Sequence, residues 1–145
     1  EIILAARRLN DRMGEYVATQ LIKEMVNKRI QVVGSKILVM GLSFKENCPD
    51  VRNTKIVDMV NALKEYSLNI DIYDPWVNES EVLHEYGLMP IKDIKKQTYD
   101  AIVIAVSHDQ FRELGIEKIK EFGCENCVIY DLKYSFDKTA TTIRI

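Results

Sequence analysis

From residue 36 onward the chain alternates short runs rich in β-branched and apolar residues with stretches of helical spacing, and few folds accept that order. The β-type runs are Lys36–Met40, Asn69–Tyr73, 101–106 and 127–130. Helical patterns cover 54–66, Glu79–Tyr86 and, in pieces, 110–122, with a short segment around Met89 and a turn of helix over 91–95. At this pitch the strands pair in parallel and the helices are their crossovers. The helix over 54–66 is the clearest: Ile56, Val57, Val60 and Leu63 share a face, and Thr54 stands at the N-cap position. A chain of 145 residues, 47% hydrophobic, can bury one core and has no room for two ordinary domains. The expectation is a three-layer α/β/α, Rossmann-like domain with a mostly parallel sheet of about five strands, preceded by a long helical segment.

That segment runs over 2–28, with Leu9, Met13, Val17, Leu21 and Met25 at helical spacing and Ala6, Ile22 and Val26 beside them. These positions spread over more than half the helix circumference, too wide for a helix packed on one sheet, so a second partner is required. Gly14 is a place for a kink or split, and Asn10-Asp11 for a new cap. The pattern fits one helix or two. The first residue, Glu1, falls directly in this pattern, so the chain is expected to be a piece of something longer.

A net charge of −2 and a pI near 5.8 argue against nucleic acid or an anionic membrane surface as partner, since both call for a basic face. No apolar run approaches the roughly 18 residues of a membrane span and no signal peptide is recognisable, so a soluble, cytoplasmic protein is expected. The three cysteines, Cys48, Cys124 and Cys127, are an odd number without secretory features, which favours reduced thiols. Cys124 and Cys127 form a Cys-x-x-Cys, but with no second pair or nearby histidines a zinc or redox role is disfavoured.

Chemistry concentrates in Gly41-Leu42-Ser43-Phe44-Lys45-Glu46-Asn47-Cys48-Pro49-Asp50-Val51-Arg52, where the first strand hands over to the helix. Open α/β sheets bind ligands at that edge. Phe44 can stack on a planar base, Lys45 is a mobile charge for phosphate, and Arg52 can reach the same anion from the helix side. The pattern suggests a nucleotide phosphate. It is not the dinucleotide fingerprint, which needs Gly-x-Gly-x-x-Gly where this chain has Gly41 alone. Asp74-Pro75 reads as a strand-ending turn rather than a ribose-binding acid. Ser107-His108-Asp109 invites comparison with a catalytic triad, yet triad members converge from separate parts of a fold. His108 is expected in the loop after its strand, with Ser107 or Asp109 capping the next helix. His84 is expected at the surface or core edge.

Gly41-Leu42-Ser43-Phe44-Lys45 with Asp50-Val51-Arg52-Asn53-Thr54, then Ile72-Tyr73-Asp74-Pro75, Ser107-His108-Asp109-Gln110-Phe111 and Asp131-Leu132-Lys133 resemble, in order and spacing, the C-terminal domain of the UDP-glucose/GDP-mannose dehydrogenase family. Ala6-Arg7-Arg8-Leu9-Asn10-Asp11 resembles the end of that family's central dimerising helical region. On this resemblance, 1–30 closes the helical region and 31–145 is the UDP-sugar-binding domain, with a homodimer through the N-terminal helix. The implied activity is NAD-dependent oxidation of a nucleotide sugar at C6, from alcohol to carboxylate, for surface polysaccharide such as capsule. The family holds NAD mainly in an N-terminal Rossmann domain and uses a cysteine in a Gly-rich motif; neither pattern occurs in these residues, and none of the three cysteines matches the nucleophile. Phe44 and Lys45 match the pair that lies against the UDP-sugar, Arg52 an arginine reaching toward NAD, and Lys133 a further substrate-binding position. UDP-glucose-type members commonly read Asp-Gly-Arg where this chain reads Asp131-Leu132-Lys133. Lys133 and the Asn47-to-Asn53 pattern resemble the members that act on UDP-N-acetylhexosamines. A stand-alone, non-catalytic nucleotide-binding or regulatory module is the alternative.

Overall fold

The computed structural model describes residues 12–144. Helix α1 (Met13–Asn27) leads into β1 (Lys36–Met40), α2 (Ile56–Lys64), β2 (Asn69–Tyr73), α3 (Glu79–Tyr86) and β3 (Tyr99–Ile104). Two short helices, α4 (Asp109–Leu114) and α5 (Ile116–Phe122), precede β4 (Gly123–Asp131), and a 3₁₀ turn (Lys138–Ala140) precedes β5 (Ile143–Arg144). The sheet order is β2-β1-β3-β4-β5 and every pairing is parallel.

Strand period 2 divides the core into two. Ile37, Val39, Ala101, Val103, Val128 and Tyr130 meet α1, α2 and Val82 of α3 on one face. Leu38, Met40, Ile102, Ile104 and Ile129 meet Phe111 of α4 and Ile119 of α5 on the other. Helices therefore cover both faces, the three layers expected. The central strands β1 and β3 are buried on both sides, which is why they read as unbroken apolar runs.

Helix α1 buries Gly14, Val17, Ala18, Leu21 and Met25 against α2 and β4, while Met13, Tyr16 and Val26 remain exposed. Gly14 is the second residue of α1, and a Cβ there would stand 2.7 Å from the Met59 backbone nitrogen, so glycine lets α1 and α2 approach closely. The segment before residue 12, with the Asn10-Asp11 cap and the matched motif over 6–11, lies outside the described residues.

Several boundaries differ from expectation. Thr54 is not the N-cap of α2; Lys55 is, and Thr54 Oγ1 instead accepts from the Ile56 N–H at 3.3 Å. No helical turn forms over 91–95; the Ile91 N–H instead ties this segment to β2 through the Ile72 carbonyl at 2.8 Å. β3 ends at Ile104 rather than 106, since the N–H groups of Ala105 and Val106 both turn to the Met40 carbonyl. β4 starts four residues early, at Gly123, and is irregular there: Tyr99 pairs with Gly123 but Ala101 with Val128. No helix among the described residues is long and apolar enough to cross a membrane.

Candidate functional site

With β1 central, the chain leaves it toward β2 on one side and returns through β3 on the other, so the loops at their C-terminal ends diverge and open a crevice. A cleft of about 520 Å³ lies there. The loop after β1 supplies Ser43, Phe44, Lys45 and Glu46, the start of α2 Asn53, Thr54, Lys55 and Ile56, and the turn after β3 Ala105, Val106 and Ser107. Arg112 from α4 and Lys133 from the loop after β4 complete it. Four cationic side chains, Lys45, Lys55, Arg112 and Lys133, thus face a single lining carboxylate, Glu46. Such a cleft attracts an anion. Phe44 is 58% exposed, a large apolar ring available to a planar group.

Buried polar groups hold these loops. Six of the seven buried polar side chains among the described residues, Ser43, Thr54, Asp74, Ser107, His108 and Asp131, lie at or beyond the C-terminal ends of strands. Asp74, at the end of β2, accepts from the N–H groups of Leu42 (2.7 Å) and Ser43 (3.0 Å) through Oδ2 and from Trp76 (2.8 Å) through Oδ1. It is thus the strand-ending turn expected, and also a strut under the β1 loop. Burial pushes its carboxyl up, but bonds from His108 and these three amides outweigh that and leave it below the usual carboxylate range. Asp131, at the end of β4, accepts from the N–H groups of Lys133, Ser135 and Phe136 at 3.0–3.1 Å. Lys133 is therefore carried on a loop wound around a buried carboxylate.

Phe44, Lys45 and Lys133 come together in this cleft. Arg52 does not join them. Its side chain is 74% exposed and its guanidinium is paired with Asp50, Nε to Oδ1 at 3.1 Å and a terminal nitrogen to Oδ2 at 3.2 Å. It flanks a separate depression with Glu85 and Tyr86 on the far side of Thr54 and Lys55. Its bonds to Asp50 hold that carboxyl below its usual range.

Sequence reasoning missed Arg112. It sits in the short helix after Ser107, and side chains in helices lean toward the N-terminal end, which returns this one to the end of β3. There its Nε donates to Ser107 Oγ at 2.9 Å, and a terminal nitrogen lies 3.6 Å from Glu46. The expected cap on α4 also differs: neither Ser107 nor Asp109 supplies it, and the Asp109 N–H bonds instead to Asn47 Oδ1 at 2.9 Å, from the loop after β1.

Cys124 and Cys127 lie at the β4 irregularity on the opposite edge from the cleft, and burial, chiefly, pushes the Cys127 thiol up to about 12. No group of three or more His, Cys, Asp or Glu among the described residues is arranged to hold a metal. The turn after β1 does not fit a dinucleotide pyrophosphate either. Gly41 is closed over by Val106, whose Cβ would be 2.6 Å from a Cβ at position 41, so its backbone is not open to a ligand.

The parallel sheet in this order, with a cation-lined cleft at its switch point, defines an open, Rossmann-like α/β domain receptive to an anionic ligand. Residues 38–138 match the family model described as UDP-glucose/GDP-mannose dehydrogenase family, UDP binding domain. The chain belongs to that family. Over all 145 residues it is 52% identical to UDP-N-acetyl-D-glucosamine 6-dehydrogenase of Salmonella typhi and 50% identical to that of Pseudomonas aeruginosa. It spans about a third of the length of each, 34%. Among solved structures it is similar to UDP-D-ManNAc dehydrogenase of Pyrococcus horikoshii (TM-score 0.76, 25% identity, 97% of this chain and 32% of that one). It also resembles NDP-N-acetyl-D-galactosaminuronic acid dehydrogenase of Methanosarcina mazei in fold (TM-score 0.79, 22% identity, 100% of this chain and 31% of that one).

Proposed function

We propose that the chain is the UDP-sugar-binding domain of an NAD-dependent nucleotide-sugar 6-dehydrogenase. The enzyme oxidises the C6 alcohol of a UDP-N-acetylhexosamine to the carboxylate, two hydrides leaving in turn and a water oxygen entering, and supplies a uronic acid for surface polysaccharide. The observation that carries the reading is the cleft, which joins Phe44, Lys45 and Lys133 at the switch point of the sheet. Phe44 forms an apolar wall for the base, while Lys45 and Lys133 bind the diphosphate as point charges. Half-identity over the whole chain to two UDP-N-acetyl-D-glucosamine 6-dehydrogenases supports the enzyme over a stand-alone module, and the N-acetylated sugar over glucose. The closed Gly41 turn supports a division of labour in which NAD is held mainly by another part of the enzyme. Arg52, outside the cleft and exposed, is assigned to that side. The exposed Met13, Tyr16 and Val26 of α1 suit a helix shared between two subunits.

Titration of UDP into the full-length protein and its Lys45→Ala variant tests the site. Losing one charge-assisted hydrogen bond costs about 1–3 kcal/mol, or roughly 5- to 150-fold in affinity. Unchanged affinity would reduce Lys45 to a solvated loop charge and remove the site.

A further inference from the structure

We propose that His108 is a positioning residue for the nucleotide cleft, pinning both ends of the Phe44-Lys45-Glu46 segment to one buried imidazole; the inference rests on the cleft being the UDP site. The ring has no solvent exposure, and its two nitrogens face opposite ends of that segment. The Asn47 N–H donates to Nδ1 at 2.9 Å. That bond makes Nδ1 an acceptor and leaves the ring proton on Nε2, which points at Asp74 Oδ2 (3.0 Å) and Ser43 Oγ (3.3 Å). Ser43 spends its own hydroxyl proton on the Lys45 carbonyl, at 2.9 Å. Every donor direction along Asn47, His108, Ser43 and Lys45 is therefore fixed, and the series ends on the backbone of the lysine that faces the ligand.

The arrangement also joins three loops. Asp74 brings the end of β2, His108 the end of β3, and Ser43 and Asn47 the loop after β1. Asn47 binds twice, its N–H to His108 and its Oδ1 to the Asp109 N–H, and holds φ at +55° to do so. Phe111 packs edge-on to the imidazole at 5.3 Å between centroids and Trp76 tilts over it at 6.1 Å. An apolar side chain could fill this space, so burying a polar network here is explained by the geometry it enforces more than by stability. A loop already fixed does not have to be ordered by the ligand, and ordering one backbone residue costs roughly tenfold in an equilibrium constant.

The test is UDP affinity in the full-length protein for Asn47→Gly, His108→Leu, His108→Gln and Lys45→Ala, and for Asn47→Gly combined with Lys45→Ala. Asn47→Gly keeps the backbone N–H and tolerates positive φ, removing only the exposed side-chain tie, so the fold is retained even if His108→Leu does not fold. Asn47→Gly should weaken UDP roughly 5- to 30-fold while lowering the melting temperature by only about a few degrees, the cost of one exposed cap bond. His108→Leu should weaken it at least as much, and His108→Gln, whose amide can accept and donate, should recover part of the loss. In the Lys45→Ala background Asn47→Gly should cost about threefold or less, because the loop then has no lysine to position. Parental affinity in Asn47→Gly and in a folded His108 variant alike, or losses that multiply in the double variant, would overturn the positioning role while Lys45→Ala still reports the site. No effect of Lys45→Ala would overturn the cleft reading and this inference with it.

Discussion

Three glycine-to-alanine substitutions separate the two constraints that shape the cleft edge. Gly87, at the end of α3, has φ +67° and nothing within 4 Å of a built Cβ, so Gly87→Ala isolates backbone strain, about 1–2 kcal/mol. Gly14 has an ordinary φ but would place its Cβ 2.7 Å from the Met59 nitrogen, so Gly14→Ala isolates crowding. Overpacking costs about 1–3 kcal/mol, and alanine's helix preference returns up to about 1 kcal/mol. Gly41 carries both terms: φ is +101°, and its Cβ would meet Val106 Cβ at 2.6 Å and Val106 N at 2.8 Å. Backbone nitrogen cannot rotate away, so the turns after β1 and β3 must separate. Gly41→Ala should therefore cost about 2–5 kcal/mol, a large share of the 5–15 kcal/mol that folds a typical domain. Urea unfolding followed by far-UV circular dichroism reads the difference, about 1–2.5 M in midpoint at a slope near 2 kcal/mol/M. If Gly41→Ala lost no more stability than Gly87→Ala, Val106 would not close the turn, and the argument that Gly41 is shut to a pyrophosphate would fail.

Three further outcomes are expected. Asp74 is lowered below its ordinary 3.8, so the unfolded chain binds more protons than the folded one; its contribution is complete above about pH 4 and is lost as pH falls toward the folded value. Urea midpoints measured from about pH 5 down to pH 2 should fall less steeply in Asp74→Asn, and an identical acid limb would contradict the strut. Asp131→Ala removes the acceptor of three N–H groups and should cost about 2–4 kcal/mol, with amide exchange accelerated at Lys133, Ser135 and Phe136; slow exchange at these amides would mean that something else holds the loop. The chain by itself, incubated with NAD and a UDP-sugar, should give no absorbance rise at the NADH band, whereas appreciable turnover would refute the assignment of hydride acceptance to another region.

The layers and the strand sequence were legible because β1 and β3, buried on both faces, read as unbroken apolar runs, and because α2 carries one apolar stripe. Phe44 and Lys45 were legible as candidates because they follow the first strand, whereas Lys133 was reached only through the family resemblance; all three line the cleft. What stayed hidden depends on contacts between distant segments. The closing of α4 by Asn47 joins residues 62 positions apart, and no local pattern announces such a cap. The early start of β4 follows from a register shift against β3, which places Cys127 against Gly123 and leaves the Cys-x-x-Cys folded into the irregularity. β5 contributes only Ile143 and Arg144, too short to carry a period. Arg52 marks the reverse case: its spacing from Lys45 suggested convergence, but Asp50 two residues away offered a nearer partner and took it.

Asp74 and Asp131 show why the cleft stands where it does. Parallel strands leave backbone N–H groups unpaired beyond their C-terminal ends, and a buried loop must find acceptors for them. In this chain two carboxylates with fully buried or nearly buried side chains meet that need on either side of the switch point. Asp74 takes the amides of Leu42 and Ser43 beneath Phe44, and Asp131 takes those of Lys133, Ser135 and Phe136. Asp131 spends its oxygens on backbone and Asp74 on backbone and the His108 ring, so neither lines the cleft, leaving Lys45, Lys55, Arg112 and Lys133 to set the sign of its lining against Glu46. The same carboxylates that satisfy the loops thus leave the field cationic, and an acidic protein presents a local site for an anion.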